Sequence, residues 1–441
     1  MFLQFSGPSA SDSDNRQANT ARLINCYREP VGGRAGHSIK AVPGTTSFAS
    51  VTGVFVRALG EVGGNLYAAC GSVLWKVTPG AVVTNLGAIA DSANASIAGN
   101  NGDVTVCIGG GYYLWDGTTL STPTAGAFSS FGSLDYLSNY TVLSELNGRR
   151  FQWSDVADAS TLPGLNFSSA DGRDDAILRV MGINGQLVIF KETSHEIWYV
   201  TGAGGASAFE RIAGGVIDTG LKDFGLVVKI DGAAFFVGDD NRAHILGLGP
   251  VSIPAVETAI ATKNPTKCIY FEDEGHSFCG IIFEDCPAWI YDMSTQEWFE
   301  RAQTETLDPW QISASTKMGD TWYLGRDGGN IYSLGQTYTD ADGALVRVMI
   351  SDTLEGDGRF VPLRELEVFP RIGFDNAAID LRLSKDGGHS WTDPKQKSWT
   401  VGDYDKRIIW RGLGAARRWT AEVKISEPHN IPMNSQIRVQ T

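Results

Sequence analysis

The stretch GNLYAACGSVLWKV, residues 64–77, predicts two short β-strands joined by a tight turn at Gly71. Successive side chains of a strand point to opposite faces, so every second residue lies on the same side. The residues that share a face are Leu66, Ala68 and Cys70 in the first strand, and Val73, Trp75 and Val77 in the second.

Six further stretches repeat this plan of two apolar strands around a polar turn, and most place Trp or Tyr late in the second strand. Successive hairpins lie about 43 residues apart, which is the period of a four-stranded propeller blade. The six stretches are DVTVCIGGGYYLWDG (103–117), TVLSELNGRRFQWSD (141–155), GQLVIFKETSHEIWYV (185–200), AAFFVGDDNRAHILG (233–247), FCGIIFEDCPAWIYD (278–292) and TWYLGRDGGNIYSLG (321–335).

Apolar side chains occupy both faces of these strands, as in LVIF (187–190) and IWYV (197–200). Sheets packed between other sheets are buried on both faces. A two-layer sandwich would leave one wet face on each strand, and a helical solenoid would show a 3.6-residue period. The sequence therefore predicts an all-β protein with a seven-bladed β-propeller at residues 49–338. Six to eight blades are compatible with the pattern, because a strand from the other end of the repeat often closes one blade.

The two flanks of the predicted propeller differ from it. A chain of 441 residues exceeds what one core usually organises, which favours a second, smaller domain. Residues 1–48 are polar, with Pro and Gly and little alternation, and predict an extended N-terminal arm that is ordered on another surface. Residues 339–441 contain strands of a new rhythm, such as AIDLRLS (378–384), and predict a C-terminal β-sandwich.

Composition limits the function. A net charge of -14 opposes adhesion of the whole surface to DNA or to anionic lipid, so a nucleic-acid role would need a local patch. The opening MFLQFSGPSASDSDNR lacks the basic and apolar regions of a secretory signal, and no later run is long enough to span a bilayer. We expect a soluble protein made in the cytoplasm, whose six scattered cysteines stay reduced.

The octapeptide SKDGGHSW (384–391) approximates the Asp-box turn, S-x-D-x-G-x-[ST]-W, found in sialidase blades. It occurs once and lies outside the repeats, so we predict a structural turn built by Ser384, Asp386, Gly388 and Trp391 rather than a sugar site. Asp386 is expected to accept hydrogen bonds from turn amides, and the two glycines to adopt positive φ.

Other known motifs of catalytic, nucleotide-binding and metal sites are absent or have the wrong spacing. The chain has no GxSxG, no GK phosphate loop and no HExxH, and GLGAAR (412–417) lacks the third glycine of a dinucleotide loop. The spacing of Cys268, His276, Cys279 and Cys286 matches no zinc module and favours buried thiols with a turn histidine. We therefore predict no catalytic residue, no cofactor and no metal.

Charge is segregated along the chain. Residues 268–300 carry eight acids and no Lys or Arg, whereas KRIIWRGLGAARRW (406–419) carries five cations and no acid. One interpretation of the basic segment is a solvated strand face with its aromatics in the core; the other is a subunit contact or a phosphate-facing patch. The candidate interface residues are Lys406, Arg407, Trp410, Arg411, Arg417 and Arg418.

Two stretches carry a resemblance to a known family. They are NCYREPVGGRAGHSIKAVPGTTSF (25–48) and the C-terminal run from SKDGGHSW to QIRV, with YDKRIIW (404–410) as its most specific part. Both resemble the packaged-DNA stabilisation proteins, or tail nozzles, of short-tailed bacteriophages. The arm departs from that family's more usual wording, N-L-Y-P-E, at NCYREP.

This resemblance implies a structural protein of the virion tail, assembled in the cytoplasm of a bacterial host. Such a protein joins below the head-to-tail adaptor, forms a homo-oligomeric ring, usually a hexamer, and extends a channel in which DNA is only in transit. It would receive a tail needle or plug, support tail fibres or spikes, help to retain packaged DNA and support genome ejection. The resemblance implies no enzymatic residue and no stable membrane association. The alternatives are a glycan-binding or glycan-hydrolysing β-propeller and a cytosolic scaffold for peptide partners.

Overall fold

The computed structural model describes residues 2–5, 20–31, 36–124, 126–303, 306–341, 343–356 and 358–441. Residues 6–19 and 32–35 of the predicted arm lie outside the described part of the chain. The regular secondary structure of the described residues is almost entirely strand, and their helical elements are the α-helix Pro254–Thr262 and the 3-10 turn Gly205–Ser207. None of the helices in these ranges is long and apolar enough to cross a membrane. The all-β class predicted from the sequence is confirmed.

Seven antiparallel four-stranded units follow one another in the described chain, and each is called a blade below. Blades 1 to 3 are Val56–Val62, Asn65–Cys70, Val73–Val77 and Val83–Ala88; Ala95–Asn100, Asp103–Ile108, Gly111–Trp115 and Leu120–Ser121; and Phe131–Leu137, Tyr140–Glu145, Arg150–Trp153 and Phe167–Ser169. Blades 4 and 5 are Ile177–Ile183, Gln186–Lys191, His195–Val200 and Phe209–Ile217; and Val227–Ile230, Ala233–Val237, Ala243–Ile245 and Gly249–Pro250. Blades 6 and 7 are Pro265–Asp273, His276–Phe283, Ala288–Asp292 and Glu297–Gln303; and Ile312–Met318, Thr321–Arg326, Asn330–Gly335 and Gly44–Ser50.

Blade 7 joins the two ends of the propeller. Its strand Gly44–Ser50 comes from the N-terminal side and pairs antiparallel with Asn330–Gly335, with Thr45 opposite Leu334. A strand contributed from the other end of the repeat closes the wheel without leaving a free edge at that blade.

Tight turns explain how the first two strands of most blades are connected. In five blades the two linking residues both have positive φ, the conformation of a type I′ turn, which matches the twist of a hairpin and favours Asn and Gly. These pairs are Gly63 and Gly64, Asn101 and Gly102, Ser138 and Asn139, Asn184 and Gly185, and Glu274 and Gly275.

The blades bury both of their faces, as the sequence predicted. In blade 1, Leu66, Ala68 and Cys70 pack in one cluster with residues of blade 7, while Tyr67 and Ala69 pack with residues of blade 2. Burial of apolar surface on both sides of each sheet holds neighbouring blades together.

Serine hydroxyls connect the first strands of neighbouring blades, here called the inner strands. The hydrogen bonds run from Ser313 Oγ to Val56 O at 2.6 Å, from Leu134 N to Ser96 Oγ at 2.9 Å, from Val180 N to Ser133 Oγ at 3.0 Å and from Tyr270 N to Ser315 Oγ at 3.2 Å. They join blades 7 and 1, 2 and 3, 3 and 4, and 6 and 7, and thereby fix the ring of inner strands.

Two further sheets face each other near the C-terminus and form a β-sandwich. Their inward side chains share one core, which includes Leu366, Leu381, Trp410, Trp419 and Val423. One sheet contains Phe2–Gln4, Gln436–Gln440, Val361–Val368 and Ile408–Ala416; the other contains Arg22–Ile24, Arg347–Ile350, Arg418–Ile425, Ala377–Ser384 and Lys395–Trp399. A small sheet is made by Cys26–Pro30, His37–Ala41 and Met433–Asn434, and short paired segments are Asp308–Pro309, Thr339–Asp340, Gly343–Ala344 and Leu354–Glu355.

The strand Arg22–Ile24 links propeller and sandwich into one continuous sheet. Ile24 pairs in parallel with Glu300 of blade 6, and on its other edge Leu23 pairs antiparallel with Met349. The division of the chain at 48/49 and 338/339 stays a prediction.

Candidate functional site

The inner strands of all seven blades surround a cavity on the propeller axis with a volume of about 310 Å³. Its lining is basic, because the described lining residues include five lysines and arginines and a single acid, Asp135. The five cations are Arg57, Arg179, Lys229, Lys267 and Lys317.

Three of these cations have a carboxylate partner within the chain. The pairs are Lys229 Nζ with Asp135 Oδ2 at 2.5 Å, Lys317 Nζ with Glu272 Oε2 at 2.7 Å, and Arg57 Nε with Asp91 Oδ1 at 3.3 Å. For Arg179 and Lys267, no carboxylate of the described residues lies within ion-pair distance. The charges of Asp135 and Asp223 act on Arg179 and Lys267 respectively, but only from beyond ion-pair distance.

Arg179 is fixed in place by the neighbouring blade. Its Nη1 donates to the backbone carbonyls of Phe224 at 3.1 Å and Val227 at 3.4 Å, and its guanidinium lies over the Phe224 ring at 4.8 Å. Burial, together with the positive charges of Arg179 and Arg57 and against the opposing charge of Asp223, lowers the pKa of Lys267 to about 8. The Lys267 ammonium group therefore lies near other positive charges and is partly shielded from water.

Several cations of the basic strand of the sandwich have carboxylate partners that the local sequence does not reveal. Arg407 donates from Nε and Nη2 to the carboxylate of Glu367 at 2.7 and 2.9 Å, and Arg411 Nε lies 3.3 Å from Glu365 Oε2. Both acids belong to the adjacent strand Val361–Val368, about 40 residues earlier, so a linear inspection of the sequence does not pair them.

The other candidate interface residues fall into different environments. Lys406 pairs with Asp403 at 3.1 Å and Arg418 with Glu355 at 2.7 Å. Trp410 is buried in the sandwich core, where its indole N–H donates to Lys395 O at 2.8 Å. Among the described residues, Arg417 has no carboxylate partner, and its guanidinium lies 5.4 Å from the ring of Phe360.

Arg417 and Phe360 together form an exposed cationic and aromatic pair. Phe360 is 67% exposed. Arginine and aromatic residues are both enriched at protein contacts. The role of the six candidate residues in an interface stays a prediction.

The Asp-box turn is organised around one carboxylate. Asp386 Oδ1 accepts hydrogen bonds from the backbone N–H groups of His389 at 3.0 Å and Ser390 at 2.9 Å and from the Ser384 hydroxyl at 2.7 Å. Led by the hydrogen bond from the Ser390 hydroxyl, these bonds hold the pKa of Asp386 well below its usual range.

The rest of the octapeptide has a structural environment as well. The Ser384 hydroxyl accepts from Gly388 N at 2.7 Å, and the φ angles of Gly387 and Gly388 are +75° and +88°. Trp391 packs against the apolar cluster that contains Ile24. All of these interactions hold the turn in shape, and the turn lies outside the propeller.

The acidic segment of blade 6 meets cations of the N-terminal strands. The pairs are Arg22 with Glu300, bidentate at 2.6 and 2.8 Å, Arg28 with Glu297 at 3.6 Å, and Lys40 with Glu274 at 3.1 Å. Three of the eight acids of residues 268–300 are therefore paired within the chain by residues more than 200 positions away in sequence.

The cysteines and histidine considered for a metal do not form a ligand set. Among the described residues no group of three or more His, Cys, Asp or Glu side chains is arranged to hold a metal ion. His276 Nδ1 lies 2.7 Å from Asp292 Oδ2, and this hydrogen bond raises the histidine pKa. Burial raises the pKa of the Cys268 and Cys279 thiols, which keeps them protonated and unreactive.

Sequence inspection missed the cations of the axial cavity, although a signal was present. Arg179, Lys229 and Lys267 are each the third residue of an inner strand, in blades 4, 5 and 6. Aligning the repeats on their inner strands would have placed these three positive charges at equivalent positions around one axis.

A closed seven-bladed wheel with an appended sandwich defines a β-propeller protein built on mutual burial of its blades. The chain belongs to a family of phage structural proteins, because residues 12–337 match the family Phage_stabilise, described as "Bacteriophage P22 Gp10, beta-propeller". The family and the propeller fold that the sequence predicted are both confirmed. No match was found among curated proteins.

Two solved structures are similar at low sequence identity. The computationally designed Ika8 protein is 11% identical, with 66% of this chain and 99% of that chain covered and a TM-score of 0.44. PorZ, a bacterial surface component of the type-IX secretion system of Porphyromonas gingivalis, is 12% identical, with 79% of this chain and 46% of that chain covered and a TM-score of 0.42. Neither likeness bears on function.

Proposed function

We propose that this protein is a tail nozzle: a ring-forming protein that attaches below the head-to-tail adaptor, extends the DNA channel and helps to retain the packaged genome until ejection. The observation that carries this proposal is the family match over residues 12–337, which covers all seven blades. The tail needle or plug and the fibres or spikes are the further partners expected at such a ring.

The fold suits a part that bears load. A propeller whose last blade is closed by Gly44–Ser50 resists splaying, because opening it breaks a strand pair and the burial on both sides of the sheet. The strand Arg22–Ile24 ties the propeller to the sandwich through backbone hydrogen bonds rather than through a flexible linker. Force applied to either part is thereby transmitted to the other.

DNA would pass through the centre of the assembled ring and not through a single propeller. The axial cavity of about 310 Å³ has the volume of a small-molecule site. The interior of one chain therefore supplies stiffness, and the channel is formed between copies.

Contacts between copies would use the sandwich. The exposed pair of Arg417 and Phe360 offers a positive charge and an apolar ring without a carboxylate partner in the described chain. We propose that it meets an acidic surface of an adjacent subunit. Arg407, Arg411 and Arg418 contribute less, because carboxylates of the same chain already pair with them.

The proposal is tested by removing the gene product from infected cells and restoring it from a plasmid. Electron cryo-microscopy of the particles counts heads that contain DNA. We expect mostly empty heads without the protein and filled heads after restoration. Equal fractions of filled heads under both conditions would contradict the proposed role in retention.

The alternative of a glycan hydrolase finds little support in the cavity. Glycoside hydrolysis commonly uses two carboxyl groups that flank the scissile bond. The described lining of the axial cavity offers one acid, Asp135, and it is engaged by Lys229. Incubation with a panel of bacterial surface polysaccharides is expected to release no product.

A further inference from the structure

We propose that the axial cavity of the propeller binds a small phosphate-class oxyanion between Arg179 and Lys267. This site is separate from the ring contacts and from the DNA channel of the proposed nozzle. It belongs to each copy of the chain and does not depend on assembly.

The charges that line the cavity favour an anion. Lys267 lies near Arg57 and Arg179, and no carboxylate of the described residues forms a direct ion pair with Arg179 or Lys267, because Asp135 and Asp223 act on them only from a longer distance. Like charges that are partly shielded from water repel one another strongly, because the effective dielectric constant around them is low. Binding of an anion removes this repulsion, whereas water alone only screens it.

Arg179 and Lys267 also offer unused hydrogen-bond donors to such a ligand. Arg179 uses Nη1 on the carbonyls of Phe224 and Val227, which fixes the guanidinium and leaves Nε and Nη2 without an acceptor among the described residues. Lys267 Nζ has no hydrogen-bond acceptor in the same ranges; its contact is the Phe224 ring at 5.8 Å. A positioned guanidinium with an ammonium group beside it is a common arrangement for binding phosphate oxygens.

The cavity is large enough for a phosphate group. A cavity of about 310 Å³ admits inorganic phosphate, and it also admits the phosphate group of a nucleoside monophosphate with the aromatic rings of Tyr270 and Trp322 in the same lining. The shared chemistry is the phosphate group. Whether it is free or carried on a nucleotide is decided by the experiment below.

The test uses the full chain in thermal unfolding and titration calorimetry, in chloride buffer and in phosphate buffer of equal ionic strength. We expect phosphate to raise the midpoint of unfolding of the wild-type protein, because a ligand that binds the native state stabilises it. A parallel arm with a nucleoside monophosphate shows the source: a larger shift than with inorganic phosphate indicates a nucleotide, and an equal or smaller shift indicates free phosphate.

The decisive variant is Lys267→Met, which keeps the aliphatic stem and removes the charge. We expect it to weaken phosphate binding by about tenfold or more, since a charge-assisted hydrogen bond is lost. Without phosphate it should melt above the wild type, because the repulsion is gone. The matched control is Lys397→Met, an exposed lysine of the sandwich, which should retain the full phosphate shift.

A second variant distinguishes loss of phosphate binding from a folding defect. Arg57→Gln removes a cation near Lys267 but none of the hydrogen bonds of Arg179, and it should reduce the phosphate shift at least twofold. The proposal is overturned if phosphate does not shift the unfolding midpoint of the wild-type protein. It is also overturned if phosphate shifts the midpoint equally in the wild type, Lys267→Met and Arg57→Gln.

Discussion

Asn25 Oδ1 accepts a hydrogen bond from the backbone N–H of Ala302 at 2.8 Å, although the two residues are 277 positions apart. The Nδ2 of Asn25 donates to Val346 O at 2.7 Å, and Oδ1 also accepts from Arg301 at 3.2 Å. One buried amide thus connects the N-terminal strands, blade 6 and the sandwich. Its backbone has φ of +60°, a conformation that asparagine tolerates better than most residues.

Replacement of Asn25 tests this connection. Asn25→Ala leaves the Ala302 amide and the Val346 carbonyl buried without partners, and we expect a loss of about 2–3 kcal/mol in the free energy of unfolding. Urea denaturation of the purified protein measures it. The control is Asn147→Ala, an exposed asparagine with φ of +54°, which should lose about 1 kcal/mol or less. Equal losses in both variants would show that only the backbone conformation matters.

A buried lysine stabilises blade 4. Lys191 is fully buried, and its Nζ lies 2.7 Å from Asp175 Oδ1 and 3.7 Å from Glu196 Oε1. Lys191→Met would leave the buried Asp175 carboxylate without its cation, whereas Glu196 keeps Arg211 at 3.3 Å, and should cost about 3–5 kcal/mol of unfolding free energy. Chemical denaturation next to the exposed control Lys397→Met measures the difference. A loss below about 1 kcal/mol would contradict this explanation of the site.

Glu297 is expected to make stability depend on pH. Burial, opposed by the positive charge of Arg28 and supported by the negative charge of Asp292, raises its pKa from 4.5 to about 7. Because the folded state holds the proton more tightly than the unfolded state, the wild-type free energy of unfolding falls as pH rises from about 4.5 to about 7. Glu297→Gln lacks this dependence.

Relative to the wild type, the free energy of unfolding of Glu297→Gln should therefore increase by about 1–3 kcal/mol as the pH rises through that window. Above the window the difference should stay constant. Denaturation curves at several pH values provide the comparison. Glu192→Gln, at an exposed carboxylate of blade 4, is the control and should follow the wild type. A gain that is the same at pH 4 as at pH 8 would mean that the carboxylate is not responsible.

Arg417 is expected to be the most sensitive cation of the basic strand. Arg417→Glu reverses the charge that has no carboxylate partner in the described chain and should lower incorporation into particles by about tenfold or more. Quantitative gels of purified particles measure incorporation. Lys397→Glu makes the same charge change on an exposed strand of the sandwich and should incorporate normally. Wild-type incorporation of Arg417→Glu would contradict the proposed contact.

Local patterns in the sequence were sufficient to predict the fold. Apolar residues on both faces of Leu66–Cys70 indicate a sheet packed between two others, because the strand period of two residues reveals which faces are buried. The position of the single Asp-box outside the repeats predicts a structural turn, and in the structure Asp386 accepts hydrogen bonds from the turn amides.

Long-range partners were beyond the reach of the sequence. The pairs of Arg407 with Glu367 and Arg22 with Glu300 depend on which strands lie side by side, and strand order is set by the tertiary fold. The axial cations Arg179 and Lys267 are 88 positions apart and meet only because each follows the start of an inner strand. A count of charges along the sequence therefore overestimates how many side chains of the acidic and basic segments lack an ion-pair partner.

Electron cryo-microscopy of the intact tail tests the proposed nozzle most directly. We expect a ring of density below the head-to-tail adaptor into which several copies of this seven-bladed wheel and its sandwich fit, with the sandwich at the contacts between copies. A tail in which that ring is built by another protein, while this chain is absent from the particle, would contradict the proposal.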